Sequence, residues 1–451
     1  MAHDLLDPPG PTLPFGRHRS KINPMQNPTA ETIEYAKSLE GLTLEPSDLA
    51  VGEWQALGLA LPNVPTMRTF RLERVRQMLR QFDYAGIILY DPLNMRYACD
   101  SSNMQVWCLH NSVRYCFVPL EGPVILFEFH RCEHLSHHLD LIDEVRSAKS
   151  WFFLGSGSRY DEHAQAWASE IADLMQTYGG GNTRLAIDRC NHEGVAALHR
   201  AGIEVFNGEE VMELARLIKG EEEIKAMRCA LASAEQSMAV MQEKLEPGVS
   251  EMRLWSYLHA ENIARGGEWI ETRLLASGPR TNPWYQECSK RIIQAGDIVS
   301  FDTDLIGPYG MCADISRAWL CGDQPATAAQ RQIYTMAYEQ IQHNQSILKP
   351  GLTFREMGEQ ALMYPLSDYN AYTIFYHGVG LCDEYPAIYF PEHFDAYGYD
   401  GVLEEGMVIC VESFVGSVEG GEGVKLEEQV LITSEGYEVL SRYPFEEGLI
   451  G

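Results

Sequence analysis

The chain has 451 residues, which is more than one ordinary hydrophobic core holds and predicts two domains, one of them large. Its 45% hydrophobic and 22% charged residues are typical of a globular protein, and no run of 18 apolar residues indicates a membrane span. The formal net charge of -29 argues against nucleic acids and anionic membranes as partners, because both would be repelled.

The cysteines and the N-terminal segment indicate where the protein works. Eleven cysteines lie singly between Cys99 and Cys410 without a CxxC pair, which is typical of a reducing compartment. The segment MAHDLLDPPGPTLPFGRHRS has no apolar core of the kind found in signal peptides. We therefore expect a cytoplasmic protein.

Three segments follow one another along the chain. Residues 1–66 are rich in proline and polar residues and predict an extended arm that is ordered only by packing, with a partner subunit as one candidate. Residues 67–216 alternate helical patterns with short apolar runs, beginning with a helix from Phe70, and predict an α/β domain. Residues 217–451 open with an amphipathic helix at Glu221 and predict a second, larger domain.

The last third of the chain contains the candidate functional residues. Strand alternation predicts that Asp302 and Asp304 share one face, and carboxylates placed side by side repel unless a cation lies between them. An acid within an apolar strand such as MVICVESFV also needs a partner. The candidate metal ligands are five acids and one histidine: Asp302, Asp304, Asp314, His377, Glu412 and Glu427.

The charge of this group favours two metal ions over one. Five carboxylates and a neutral imidazole total -5, which two divalent ions would bring to -1 and one ion only to -3. The alternative is that the acids are solvated or paired with basic residues, and Arg317 and Lys425 lie close enough in sequence for that.

These segments resemble a known family. GDIVSFD, ADISR, YHGVG, GMVICVE and VKLEEQVLIT are similar to the five metal-binding motifs of metallopeptidase family M24. The resemblance implies an α/β (α+β) fold, with a creatinase/prolidase-like N-terminal α/β domain over 67–216. It also implies a pita-bread catalytic domain with a curved antiparallel sheet over 217–451.

Three departures separate the chain from the peptidases of that family. Glu384 stands where a catalytic histidine follows the motif histidine by seven residues, and Pro283-Trp284-Tyr285 replaces the stretch with a second one. The spacing from Asp302 to Asp314 is one residue longer than usual and contains Asp304. Peptide hydrolysis by the usual route is therefore not expected.

The same combination resembles the M24-like dimethylsulfoniopropionate (DMSP) lyases, which split a zwitterionic sulfonium into dimethyl sulfide and acrylate. That resemblance implies that Asp383 is the general base and that Tyr372 contacts the substrate. It further implies two divalent metal ions, with iron expected ahead of Mn, Co, Zn or Ni, and a homodimer.

Aromatic residues are the natural partners of a sulfonium, which has no proton to donate and is attracted to aromatic faces. Trp284 and Tyr285 stand at the place of a peptidase histidine, and Trp107 is a further candidate from the same or a partner subunit. Two other functions stay open: a prolidase- or creatinase-like hydrolase of a C–N bond, and a non-catalytic M24-like binding protein. Retention of all six candidate ligands counts against the second.

Overall fold

The computed structural model describes residues 45–451, so most of the expected arm lies outside the described residues. Within the remainder of that segment, the expectation of an extended chain is wrong, because helix α1 (Asp48–Ala56) forms there and helix α2 (Val64–Phe82) begins before Phe70. Trp54 in α1 is fully buried, and its indole N–H donates to Ser233 Oγ at 3.1 Å. So short a helix depends on tertiary packing, which local sequence does not reveal.

The first part of the chain folds around one mixed sheet of six short strands. The strands are β1 (Gly86–Leu89), β2 (Tyr115–Pro119), β3 (Ile125–Glu128), β4 (Glu144–Ser147), β5 (Arg184–Ile187) and β6 (Glu204–Asn207). Their order is β4-β3-β2-β1-β5-β6, with β1 antiparallel to β2 and parallel to β5. The helices are α3 (Pro92–Cys99), α4 (Gln105–Cys108), α5 (Phe153–Ser156), α6 (Tyr160–Tyr178), α7 (His192–Arg200) and α8 (Gly208–Leu217).

The second part contains antiparallel strands covered by longer helices. The helices are α9 (Glu221–Glu243), α10 (Glu251–Ala264), α11 (Ala328–Ser346), α12 (Phe354–Gln360) and α13 (Pro391–Tyr397). The shorter strands are β7 (Trp269–Ile270), β8 (Leu275–Ser277), β9 (Ile298–Asp302), β10 (Leu305–Ile306), β11 (Cys312–Ala313) and β12 (Ser316–Leu320). The remaining strands are β13 (Tyr369–Asn370), β14 (Ile374–Val379), β15 (Asp383–Tyr389), β16 (Val408–Ser417), β17 (Gly423–Thr433) and β18 (Gly436–Val439).

These strands form three sheets. The largest runs β15-β14-β16-β17-β18, with β13 on β16, and the smaller ones run β12-β9-β8 and β11-β10-β7. Every pairing between the described strands of this part is antiparallel. The α/β (α+β) class is thereby confirmed, whereas the domain boundaries near residues 66 and 216 stay predictions. No helix among the described residues combines the length and apolarity that crossing a bilayer needs.

The amphipathic helix predicted at Glu221 is confirmed as α9. The Glu223 side chain accepts from the Gly220 backbone N–H at 3.0 Å, which satisfies one of the free donors at the helix start. Met227, Leu231 and other residues of the predicted stripe are buried in the larger hydrophobic core, so the helix covers the sheets that hold the candidate site.

Candidate metal centre

The structure brings the six predicted ligands together. In three overlapping groups, one ligand atom of each residue lies within 4.8 Å of the others. The groups are Asp302, Glu412 and Glu427; Asp302, Asp304 and Asp314; and Asp314, His377, Cys410 and Glu427. Because the groups share members, they describe neighbouring positions within one cluster.

The strand register places most of these side chains. Glu412 on β16 lies directly opposite Glu427 on β17, and His377 on β14 lies opposite Cys410 on β16. Asp302, at the end of β9, is paired with Ser316 on β12. Like charges at directly opposed positions destabilise a sheet, so the Glu412–Glu427 pair needs positive charge beside it.

Asp304 reaches the cluster in a way that the sequence pattern did not predict. Strand β9 ends at Asp302, and Asp304 has a positive φ of 37°, so simple strand alternation does not place it. Thr272 Oγ1 donates to Asp304 Oδ2 at 2.5 Å and fixes the carboxylate. A non-glycine residue in this conformation is costly and persists where its surroundings hold it, which is frequent at functional sites.

One basic side chain lies among the acids. Lys425 Nζ is 3.1 Å from Asp302 Oδ2 and 3.2 Å from Glu427 Oε2, and it also contacts Glu412. The alternative of simple ion pairing is thus partly correct for Lys425 but wrong for Arg317, which binds Glu428 at 2.7 Å instead. Five carboxylates with one ammonium keep a formal charge of -4, which two divalent ions balance.

Burial and mutual repulsion work against ionisation of these acids when no other cation is present. The pKa of Asp302 is raised to about 8, chiefly by burial, although Lys425 opposes the shift. Burial and neighbouring carboxylates also raise the pKa values of Asp304 and Asp314 well above their usual range. Glu427 differs, because Lys425 and His377 outweigh burial and lower its pKa.

The donor set fits divalent cations. Asp314 Oδ1 and Glu427 Oε1 are buried acceptors without a hydrogen-bond donor among residues 45–451. His377 Nδ1 lies 3.0 Å from the Gly378 carbonyl, which can only accept, and Nε2 faces the acids, 3.2 Å from Glu412 Oε1, where a metal ion would replace its proton. Carboxylate oxygens and one imidazole nitrogen without a proton are the ligands expected of a divalent metal centre.

Two residues of the cluster were not predicted from the sequence. Cys410 Sγ lies 3.9 Å from Asp314 Oδ2, and Ser316 Oγ lies 2.7 Å from Asp302 Oδ1 and accepts from Lys425 at 2.7 Å. Strand alternation contains a signal for Cys410, because it precedes Glu412 by two residues on the same strand face. Ser316 pairs across the ladder with Asp302, which only the register reveals.

Asp383 lies beside the cluster and remains accessible. Its Oδ1 is 3.7 Å from His377 Nδ1, and 56% of its side chain is exposed. It lines an open cavity of about 780 Å³ together with His377, Tyr285 and Tyr372. A ligand in this cavity therefore contacts both the edge of the cluster and a free carboxylate.

The predicted aromatic contacts divide into two kinds. Tyr372 and Tyr285 line the cavity and stack with ring centroids 5.2 Å apart, and the Tyr372 ring lies 4.6 Å from Lys425 Nζ. Trp284 is 7% exposed and packs on Phe414 behind Tyr372, so its indole supports the cavity wall. The expectation that Trp284 itself faces a ligand is not met in this geometry.

Trp107 lies elsewhere in the chain. It contacts Phe129 at a ring distance of 5.8 Å and lines a second cavity of about 1010 Å³ that does not include Asp383. The same chain therefore does not bring Trp107 to the candidate site, and a contribution from a second copy stays a prediction.

The chain is similar to several known proteins. It matches the model of metallopeptidase family M24 over residues 225–434. It is 46% identical to the dimethylsulfoniopropionate lyase DddP of Roseovarius nubinhibens, covering 91% of this chain and 93% of that protein. It is 43% identical to the dimethylsulfoniopropionate lyase DddP of Roseobacter denitrificans, and the match covers 90% of this chain and 92% of that protein.

Solved structures share the architecture at lower identity. The Xaa-Pro dipeptidase from Bacillus anthracis superposes with a TM-score of 0.67 at 24% identity, over 83% of this chain and 98% of that one. The prolidase from Pyrococcus horikoshii superposes with a TM-score of 0.65 at 22% sequence identity, over 83% of this chain and 99% of that one. Fold and cluster together define a pita-bread protein of the M24 type. Within that class, the chain belongs to the DddP family.

Proposed function

We propose that the protein is a metal-dependent lyase that cleaves DMSP into dimethyl sulfide and acrylate by β-elimination. The observation that carries the proposal is the position of Asp383, an accessible carboxylate whose Oδ1 lies 3.7 Å from His377 at the edge of an acidic cluster. The two relatives at 46% and 43% identity are DMSP lyases by name.

The cluster has the composition needed to hold a substrate carboxylate. Two divalent ions held by the six predicted residues would supply Lewis acidity that stabilises negative charge developing on the substrate. Lys425, fully buried between Asp302 and Glu427, adds a fixed positive charge on the same side. Ser316 keeps Lys425 in place by accepting from it at 2.7 Å.

Asp383 is the proposed general base. It takes the proton from the carbon next to the substrate carboxylate, and the released electron pair forms the carbon–carbon double bond of acrylate. The carbon–sulfur bond breaks with its electrons on sulfur, so dimethyl sulfide leaves as a neutral molecule and needs no protonation. A single base therefore suffices, which agrees with the absence of the two peptidase histidines.

The cavity wall suits a permanent cation. Tyr372 and Tyr285 present stacked rings to the cavity, and aromatic faces attract cations by about 0.5–2 kcal/mol each. Glu209 and Glu210 line the same cavity, are exposed and add negative charge to its wall. A sulfonium is attracted here, whereas a carboxylate is attracted deeper, at the cluster.

The hydrolase alternative is less compatible with this geometry. Glu384, at the place of a peptidase histidine, has a side chain only 1% exposed and binds Arg216 and Lys219. Trp284, at the place of the other histidine, packs on Phe414. A non-catalytic binding protein would have no reason to keep an accessible carboxylate beside a complete ligand set.

Iron is the proposed metal, because the M24-like lyase resemblance implies it and the oxygen-rich ligand set accepts it along with Mn, Co, Zn and Ni. A homodimer in the cytoplasm completes the proposal. Elemental analysis of protein purified from cells grown in defined medium tests the metal, and light scattering tests the dimer.

The decisive experiment measures the products. Metal-loaded protein is incubated with DMSP, and dimethyl sulfide in the headspace is compared with acrylate in solution, beside a parallel incubation with a proline dipeptide. The lyase predicts equimolar dimethyl sulfide and acrylate and no proline. Proline release without dimethyl sulfide would establish the hydrolase instead.

A further inference from the structure

Glu384 is a buried carboxylate that the proposed reaction does not use directly. Its Oε1 lies 3.0 Å from Arg216 Nε, and its Oε2 lies 2.8 Å from Lys219 Nζ. Arg216 belongs to α8, and Lys219 follows it in the link to α9, so both cations come from the junction between the two parts of the chain. The two cations outweigh burial and lower the pKa of Glu384, so it stays ionised.

The chain folds tightly around this carboxylate. The Leu381 backbone N–H donates to Glu384 Oε1 at 2.9 Å, and the Gly380 N–H donates to the Cys382 carbonyl at 3.0 Å. A Cβ on Gly380 would meet Glu384 Oε2, so only glycine allows this approach without displacement. Residues 380–383 therefore form a turn whose centre is the Glu384 carboxylate.

The turn ends at Asp383. Strand β15 begins with Asp383 and Glu384, and successive side chains of a strand point to opposite faces. Asp383 lines the cavity and is 56% exposed, whereas the Glu384 side chain is 1% exposed and contacts Arg216 and Lys219. Fixing Glu384 thus fixes the backbone from which Asp383 projects.

A general base must be held close to its productive position, within roughly 0.5 Å. Asp383 is mostly exposed, and the structure gives its side chain no ion pair closer than the 3.7 Å contact with His377 among the described residues. Its position is therefore set by its backbone. The two buried ion pairs of the next residue, Glu384, restrain that backbone.

We propose that Glu384 is a positioning residue for Asp383, anchored by Arg216 and Lys219, and that it serves the lyase reaction without contacting the substrate. This inference rests on the proposed function, in which Asp383 is the base. It gives a role to the carboxylate that occupies the place of a peptidase histidine, because this side chain binds Arg216 and Lys219.

The first test compares Glu384→Gln with a matched control in metal-loaded protein. Glu384→Gln removes the charge but keeps the shape, and we expect kcat for DMSP to fall roughly 10- to 100-fold with KM within about twofold. Metal content stays unchanged. The control is Glu128→Gln, which alters another buried carboxylate, paired with Arg114 at 2.7 Å in the first part of the chain, and it keeps the wild-type kcat.

A double variant tests whether Glu384 acts through Asp383. If it does, Asp383→Asn with Glu384→Gln is no slower than Asp383→Asn alone, because the positioned group is already lost. A double variant that is clearly slower overturns the inference, as does a single Glu384→Gln variant with unchanged kcat.

A second pair of variants covers the case in which Glu384→Gln does not fold. Lys219→Met removes one of the two cations that bind Glu384, and we expect it to lower kcat several-fold. Lys219→Arg keeps a cation and is expected to retain a kcat close to that of the wild type. Equal kcat in the wild type, Lys219→Met and Lys219→Arg contradicts the inference. Failure of the proposed function looks different, because the wild-type protein then releases no dimethyl sulfide or Asp383→Asn retains full turnover.

Discussion

Glu128 in the first part of the molecule and the acidic cluster in the second are neutralised differently. In the first part, Glu128 is fully buried, and Arg114 donates to it twice, at 2.7 and 2.8 Å. Ser136 adds a hydrogen bond at 3.1 Å. One acid faces one guanidinium, and both oxygens have donors, as a stable buried ion pair requires.

The cluster of the second part has no such balance. Five acids share Lys425 and His377, Glu412 faces Glu427 across the ladder, and Asp314 Oδ1 has no donor among the described residues. The shortage of positive charge therefore distinguishes a site for divalent ions from a structural ion pair.

The largest effect is expected from neutralising a shared member of the cluster. Glu427 belongs to two of the three ligand groups, so Glu427→Gln loses metal and shows no measurable dimethyl sulfide release. Elemental analysis and headspace measurement check this. Full metal content with full activity in Glu427→Gln would contradict the assignment of Glu427 as a metal ligand.

The next largest effect separates the base from the cluster. Asp383→Asn lowers kcat by about 10²- to 10⁴-fold, the usual contribution of a general base, while both metal ions remain bound. Measuring kcat and metal content on the same preparation shows whether Asp383 acts as a base or as a metal ligand. Loss of metal in this variant would place Asp383 among the ligands.

Breaking the Glu128–Arg114 ion pair should reduce stability and leave activity unchanged. Glu128→Gln leaves Arg114 buried without a counter-charge and lowers the free energy of unfolding by about 3–5 kcal/mol, with kcat unchanged. Urea unfolding gives the stability, and the lyase assay gives kcat. A large loss of kcat in well-folded Glu128→Gln would contradict a purely structural role.

The smallest predicted effect is a pH dependence that metal removes. The pKa of Asp302 is raised to about 8 in the fold from about 3.9 in an unfolded chain, so its protonated form is favoured by folding. In protein whose metal has been removed by a chelator, protonated Asp302 therefore stabilises the fold below about pH 4, and this contribution is lost as pH rises towards 8. Urea unfolding at pH 5.5 and pH 8 should show this loss without metal and not with metal; parallel curves would contradict it.

Local pattern was sufficient to predict much of the molecule. The α9 helix and the six cluster residues lie in short segments whose periodicity and acidity are visible in the sequence, and the motifs place them in one family. Once the strands pair in the correct register, candidate ligands on neighbouring strands lie next to each other. The strand order and the Glu412–Glu427 pairing follow from that fold.

Other features depend on contacts between distant segments, which local pattern does not contain. Helix α1 is stabilised by Trp54 packing near Ser233, 179 residues away. Asp304 owes its position to Thr272 and a left-handed backbone, not to strand alternation. Lys425 and Arg317 are both cationic, but Lys425 shares a strand face with Glu427, whereas Arg317 follows Ser316, the residue paired with Asp302, and so lies on the opposite face.

Metal titration of protein whose metal has been removed by a chelator shows whether cleavage depends on the two ions. Protein freed of metal, verified by elemental analysis, is titrated anaerobically with Fe²⁺ while dimethyl sulfide release from DMSP is measured. We expect no release without metal and a rise that reaches its maximum at two ions per chain. Metal-free protein that releases dimethyl sulfide as fast as loaded protein would contradict it.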